Sequence, residues 1–109
     1  MSETRSIDWV GQSGRSYSYQ ILPIGTDFRD APGNYVFARE SSPRNWQPIY
    51  IGQTGSLARR LSHHEKESCA RGRGATHIHA HLSGDEYARE DEERDLIVKW
   101  RPPCNQQLT

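Results

Sequence analysis

A single carboxylate is the first residue in this 109-residue chain whose position points to chemistry. The acidic run Asp85, Glu86, Glu90, Asp91, Glu92, Glu93 and Asp95 reads for the most part as a solvated helix face. Glu93 stands apart, because at about 100° per residue it projects near the centre of the arc shared by Leu96, Ile97 and Trp100, the stripe expected to be buried. A carboxylate there is costly unless a metal ion or another cation compensates it, so Glu93 is either a site residue or half of a structural ion pair. Arg60 offers a permanently charged, planar fork that suits phosphate oxygens, although an arginine beside Leu57 and Leu61 on a helix is commonly a surface residue, as Arg59 is expected to be. Tyr35 and Tyr50 fall on two neighbouring β-prone runs. Most such aromatics pack a sheet face, and a phenol acts as a base near neutrality only if its pKa is brought down from about 10. His77, His79 and His81 alternate strictly with Ile78, Ala80 and Leu82, so three imidazoles share one strand face. Such a row can bind Zn²⁺ or Ni²⁺, but it is more often plain polar surface, and no cysteine pair stands close by to complete a structural zinc site.

The elements that must carry these residues follow from periodicity. Ile7 to Gln12 and Arg15 to Leu22 alternate around Ser13-Gly14, which predicts a hairpin with Tyr17, Tyr19 and Ile21 on one side. Gly25 to Gly33, rich in Asp, Pro and Gly, is a loop. Gly33 to Ala38 and Pro48 to Gly52 are short β-prone runs, separated by a polar segment from Ser41 to Asn45, and are expected to pair. Ser56 can cap a helix that carries Leu57, Leu61 and His64 at helical spacing and frays near Gly72 and Gly74. His77 to Leu82 is a strand. Ser83 followed by Glu86 has the form of a capping box, opening a helix that Pro102 and Pro103 stop. There is no internal repeat.

Composition narrows the class. The length suits one compact domain, and a hydrophobic share of 33% implies a small core helped by three tryptophans and five tyrosines. A formal net charge of zero argues against a generally basic nucleic-acid wrapper, while leaving room for a local patch made by Arg59, Arg60, Lys66, Arg71 and Arg73. No run approaches the roughly 20 apolar residues of a membrane span, and the first residues carry no apolar signal segment. Cys69 and Cys104, the only cysteines, lie far apart in sequence, which fits a reduced cytoplasm.

Taken in order, Gly33-Asn34-Tyr35, Tyr50-Ile51-Gly52, Leu57-Ala58-Arg59-Arg60-Leu61, Glu93-Arg94-Asp95-Leu96-Ile97 and Pro102-Pro103-Cys104-Asn105 resemble the GIY-YIG nuclease superfamily. Each motif is short; the signal lies in five of them in order and at family-like distances from Gly33 to Asn105. The resemblance implies an α+β fold, a small mixed and largely antiparallel β-sheet flanked by helices, in a small stand-alone domain over residues 33–109. Residues 1–32 lie outside it, as an N-terminal hairpin extension expected to lengthen the sheet or cover one face. The family's active site gathers two tyrosines, an arginine, a glutamate and often an asparagine, roles that carry over to Tyr35, Tyr50, Arg60, Glu93 and Asn105. His64 matches a histidine that many members place four residues after the arginine, where it contacts a phosphate or helps the base. Asn34 departs from the usual aliphatic residue of the first motif, and Cys104 stands where an aromatic is common. The stretch between His64 and His77 is short for the family, which commonly has another helix there.

What the resemblance implies is hydrolysis of phosphodiester bonds in DNA, with RNA left open as a substrate. One inward carboxylate, with no second acid clearly beside it, suits a single Mg²⁺ or Mn²⁺ held by Glu93. Tyr35 is then expected to act as base, Tyr50 to orient water or phosphate, Arg60 to pair with phosphate oxygens, and Asn105 to brace the Glu93 region. Arg59, Lys66, Arg71 and Arg73 would contact the DNA backbone. A noncatalytic module of the same fold, binding nucleic acid or a partner protein, and a metal-binding histidine strand are the competing readings. The sequence leaves monomer or homodimer open, along with sequence specificity and pathway.

Overall fold

The computed structural model describes residues 5–106. Alternating sequence becomes strand in five places. They are β1 (Ser6–Val10), β2 (Ser16–Pro23), β3 (Gly33–Ser42), β4 (Asn45–Thr54) and β5 (His77–Leu82). They form one sheet in the order β1-β2-β5-β3-β4, and every pairing is antiparallel, a more uniform arrangement than the mixed sheet expected. The first hairpin closes with Val10 opposite Ser16 and joins the sheet through β2, which pairs with β5. It therefore lengthens the sheet. The polar segment between the two motif strands is itself strand, and β3 and β4 run on until Ser42 faces Asn45, with Arg44 left-handed at φ 67° in the turn.

Residues on alternate sides of β3 feed two cores. Tyr35 and Phe37 pack with Ile49, Leu57, Leu61, Ala70, Ile78 and Ala80 under two short helices, α1 (Leu57–Ser62) and α2 (Glu67–Gly72). Val36 and Ala38 pack with Trp9, Tyr19, Ile51 and Leu96 under the long helix α3 (Glu86–Trp100). Both faces of the sheet are thus covered, which alters the fate of the histidine row. His77 and His81 are half-buried, but His79 is fully buried, its Nδ1 accepting the Trp9 indole N–H at 2.9 Å. His77 lies edge-on to Trp46, and His81 bonds Glu92 at 2.6 Å. The three imidazoles are engaged separately, and no cluster of three metal-binding side chains occurs among the described residues.

Three local expectations change. The single helix from Leu57 breaks between Ser62 and Glu67, because His64 Nδ1 takes the backbone N–H of Lys66 at 3.0 Å and competes with helical bonding there. Helix α3 is capped by Asp85, whose carboxylate accepts the Tyr87 N–H at 3.0 Å, and not by Ser83, whose carbonyl instead serves Arg89. Its buried face holds Arg89, Glu92 and Leu96, while Trp100 is 39% exposed and Glu93 lies at the margin of that face. The helix is so polar that its apolar residues do not define a stripe, and contact with polar strand residues sets its rotation. Its end conforms to expectation: Arg101 turns left-handed and Pro102 and Pro103 follow.

Cys69 on α2 and Cys104 are bonded to each other. The expectation of a reducing compartment drew on their separation in sequence, and a disulfide between them removes that support. Among the described residues no helix is long and apolar enough to cross a membrane.

Asp95 anchors the first hairpin to α3, accepting from the Ser13 N–H and hydroxyl at 2.8 and 2.7 Å and from the Tyr17 hydroxyl at 2.8 Å. Gly11 makes room, since a Cβ there would meet the Asp95 carboxylate at 2.1 Å. The Ser13 hydroxyl, followed by the Ser13 N–H and Tyr17, holds the Asp95 pKa below its ordinary value. A depressed carboxyl stabilises the fold above its unfolded-state pKa, and that contribution is lost as pH falls through the folded value. Asp95→Ala is expected to lower the unfolding temperature by a few degrees near neutrality, with the gap to wild type closing on acidification, as measured by circular dichroism melts across pH.

Candidate active site

Two glycines set the geometry around Tyr35. Gly52 lies directly across the ladder from Tyr35, and a Cβ on it would come within 2.5 Å of the phenol ring. The ring therefore lies flat over the neighbouring strand. Gly33 is equally confined, with the His81 carbonyl 2.3 Å from the place its Cβ would take. Tyr50, paired with Phe37 on the same side of the sheet, stacks on Tyr35 at a centroid distance of 6.2 Å and an interplanar angle of 26°. The Ser56 hydroxyl caps α1 by accepting the Arg59 N–H at 3.2 Å, which sets Arg60 on the turn that faces these rings. His64 follows at the break between α1 and α2, where it is buried edge-on against Tyr35, Phe37 and Tyr50.

The hydrogen bonds fix the state of His64. Its Nδ1 accepts from Lys66, so in the neutral ring the proton sits on Nε2, which is 2.7 Å from the Tyr35 oxygen and donates to it. Burial, with the nearby Arg60 charge adding, pushes the His64 pKa down to about 4, so the ring is neutral at physiological pH. Burial also raises the Tyr35 pKa above the ordinary tyrosine range, Tyr50 adds to this, and Arg60 pulls against it. Tyr50 is raised by burial and, again, opposed by Arg60. Arg60 itself is about one-third exposed and donates through Nη2 to Glu65 at 3.0 Å.

Glu93 reaches the same group of residues from α3. It is half-buried beside Gln53 of β4, forms no ion pair among the described residues, and lies near enough to Tyr35 and Tyr50 to raise both. Burial raises its own pKa, with Glu90 contributing and the Gln53 backbone opposing. A second acid does stand beside it in sequence: Glu92 is more deeply buried, and accepts from both the Tyr19 hydroxyl and His81. Those contacts occupy Glu92 and leave Glu93 as the unpaired carboxylate. Asn105 sits in a short 3-10 turn, η1 (Pro103–Asn105), immediately after the bonded Cys104. It braces β4 and not the Glu93 region, its amide bonding both the N–H and the carbonyl of Ile51 at 2.7 and 2.9 Å. The residue it fixes lies between Tyr50 and Gly52.

The basic residues divide. Arg59 is exposed and 3.9 Å from Asp30, Arg71 pairs with Glu67 at 3.0 Å, and Lys66 and Arg73 flank α2. Three residues at this end of the molecule carried no signal in the sequence as site residues: Gln53, Arg89 and Glu92. Only Asn34 was marked there, as a departure, and it proves fully buried with its amide on the Arg89 carbonyl at 3.0 Å.

No protein-family model and no curated protein matches the chain. Among solved structures, three of the GIY-YIG N-terminal endonuclease domain of UvrC from Thermotoga maritima do, each with a TM-score of 0.58 over 72% of this chain and 87% of that one. Two are at 28% identity and one at 29%. They are two tyrosine-to-phenylalanine mutants and one asparagine-to-alanine mutant, all bound to a catalytic divalent cation. The chain belongs to the GIY-YIG superfamily. Its likeness to these GIY-YIG endonuclease domains supports a nuclease-type function.

Gly52→Ala must displace Tyr35, and is expected to cost about 1–3 kcal/mol in chemical denaturation and to disturb the Tyr35–His64 bond, visible as a shifted His64 ring resonance. Glu93 gives a prediction of opposite sign. A carboxyl whose pKa is raised on folding favours the fold below its unfolded-state pKa and loses that contribution as pH rises through the folded value. Metal-free Glu93→Gln is therefore expected to melt at or above the wild-type temperature near neutrality, a comparison that calorimetry settles.

Proposed function

We propose that this protein is an endonuclease that hydrolyses phosphodiester bonds in DNA with one divalent cation, Mg²⁺ or Mn²⁺, held by Glu93. The observation that carries the reading is the half-buried Glu93 carboxylate, without an ion pair among the described residues, within electrostatic reach of two phenols that Arg60 also approaches and one of which bonds the neutral His64. The residues present fit a hard cation: a carboxylate partly stripped of water, with no ion-pair partner among the described residues, is a fitting first ligand for an ion that keeps most of its own waters. Bound there, such an ion would supply Lewis acidity and a water of lowered pKa.

The chain's own side chains account for the rest. Tyr35 takes the proton of the attacking water. It does so as the phenolate: the phenol, protonated at rest, first gives its proton to solvent, the Nε2–H of His64 and the Arg60 charge hold the anion, and the proton taken from water restores the phenol. His64 thereby serves the base and not the phosphate. Arg60 turns its fork from Glu65 to two oxygens of the scissile phosphate, a contact that strengthens as charge builds on them. Tyr50, stacked on Tyr35, orients water or phosphate, and Asn105 keeps the Tyr50-Gly52 segment in place by filling the hydrogen bonds of Ile51. Arg59, Lys66, Arg71 and Arg73 lie around α1 and α2 and contact the DNA backbone. Because two of them already face acids, binding is modest and salt-sensitive.

Nicking of supercoiled plasmid with Mg²⁺, Mn²⁺ or chelator is the test. Glu93→Ala is expected to abolish metal-dependent nicking without unfolding the protein, and Arg60→Lys to slow it by about a hundredfold or more, since an ammonium cannot form the paired contact. Full activity in Glu93→Ala would defeat the metal assignment. Binding of DNA by a wild-type protein that never cuts would favour a noncatalytic module.

A further inference from the structure

Arg89 and Glu93 stand four residues apart on α3, the spacing at which opposite charges on one helix ordinarily meet. They do not pair, although each lacks a charged partner among the described residues. Arg89 is only 7% exposed, and a guanidinium enclosed to that degree without a carboxylate is costly. Neutral oxygens hold it instead: Nε donates to Gln53 Oε1 and Nη1 to the Ser83 carbonyl, both at 3.0 Å. The Arg89 carbonyl in turn receives the Asn34 amide, and Asn34 and Gln53 are direct cross-strand partners on β3 and β4. Two strands thus grip one residue of the helix, by its backbone and by its side chain.

We infer that Gln53 is a positioning residue that, with the Ser83 carbonyl, holds Arg89 away from Glu93 and so keeps the Glu93 carboxylate available to a divalent cation. The inference rests on the metal role proposed for Glu93. An apolar residue at position 53 would release the guanidinium toward Glu93, a carboxylate one turn along α3. An acidic residue there would hold Arg89 but add negative charge where Glu90 already disfavours the ionised Glu93. A neutral acceptor does neither. The arrangement also gives a reason for Asn34, which stands where the family usually has an aliphatic residue: its amide sets the height of Arg89 against the sheet.

The test is Gln53→Leu, similar in volume but unable to accept, with Gln53→Asn, which withdraws the acceptor by one methylene, as a milder second variant. A crystal structure of metal-free Gln53→Leu is expected to place the Arg89 guanidinium within about 4 Å of the Glu93 carboxylate. Mn²⁺ affinity, read by paramagnetic titration, is expected to fall about tenfold in Gln53→Leu, and by less in Gln53→Asn. The double variant Gln53→Leu/Arg89→Met removes the competing cation and is expected to recover wild-type affinity. An Arg89 that stays away from Glu93, an unchanged Mn²⁺ affinity in both single variants, or a loss that the double variant does not recover each overturns the inference. Absence of Mn²⁺ binding by the wild-type protein would remove the metal role of Glu93, and the Gln53→Leu crystal structure then decides on its own whether Gln53 diverts Arg89.

Discussion

Helix α3 has too few apolar residues to be held by burial alone, so its place on the sheet depends on the hydrogen bonds that Glu92 and Arg89 make to polar strand residues. Tyr19 and His81 converge on the Glu92 carboxylate, while Gln53 and Asn34 take the Arg89 side chain and carbonyl. Contacts of this kind are directional in a way that apolar packing is not, and they fix rotation and height together. That decides which of two adjacent glutamates is consumed in structure and which is left beside the phenols. A turn of the helix by one residue would exchange them.

The other half of the site is organised by close approach. Tyr35 can lie on the neighbouring strand only because position 52 has no side chain, and Tyr50 then stacks against it. The helix break at His64 sacrifices helical bonding to bring an imidazole under the Tyr35 oxygen. Burial raises both tyrosines and lowers His64, so the phenols and the imidazole carry no charge at rest, and the charges left in the site are Arg60 and the half-buried Glu93. Such an environment strengthens every electrostatic contact a substrate phosphate would make there.

Much of the fold was legible because its strands alternate strictly and its turns use Gly, Pro and Asn: both hairpins, the His77–Leu82 strand and the Ser56 cap follow from local rules. The motif residues were legible as an ordered set, and Tyr35 and Tyr50 lie within electrostatic reach of both Arg60 and Glu93, with His64 against their rings. What could not be read depends on contacts distant in sequence. The buried face of α3 carries an arginine and a glutamate, which no apolar pattern reveals, so Trp100 was placed inside and Glu92 overlooked. His79 is buried because helices cover both faces of the sheet, and the Cys69–Cys104 bond spans 35 residues that include β5 and the whole of α3. Asn105 was expected to brace the Glu93 region, and its actual partner, the backbone of Ile51, has no sequence signature.

That last contact reaches beyond the site. β4 is an outer strand of the sheet, and its free rim would ordinarily offer a row of amides and carbonyls to any extended peptide. By bonding to both main-chain groups of Ile51, the Asn105 side chain imitates one unit of a sixth strand and caps the ladder at that point. Intermolecular β-addition is thereby discouraged along the rim that carries Tyr50.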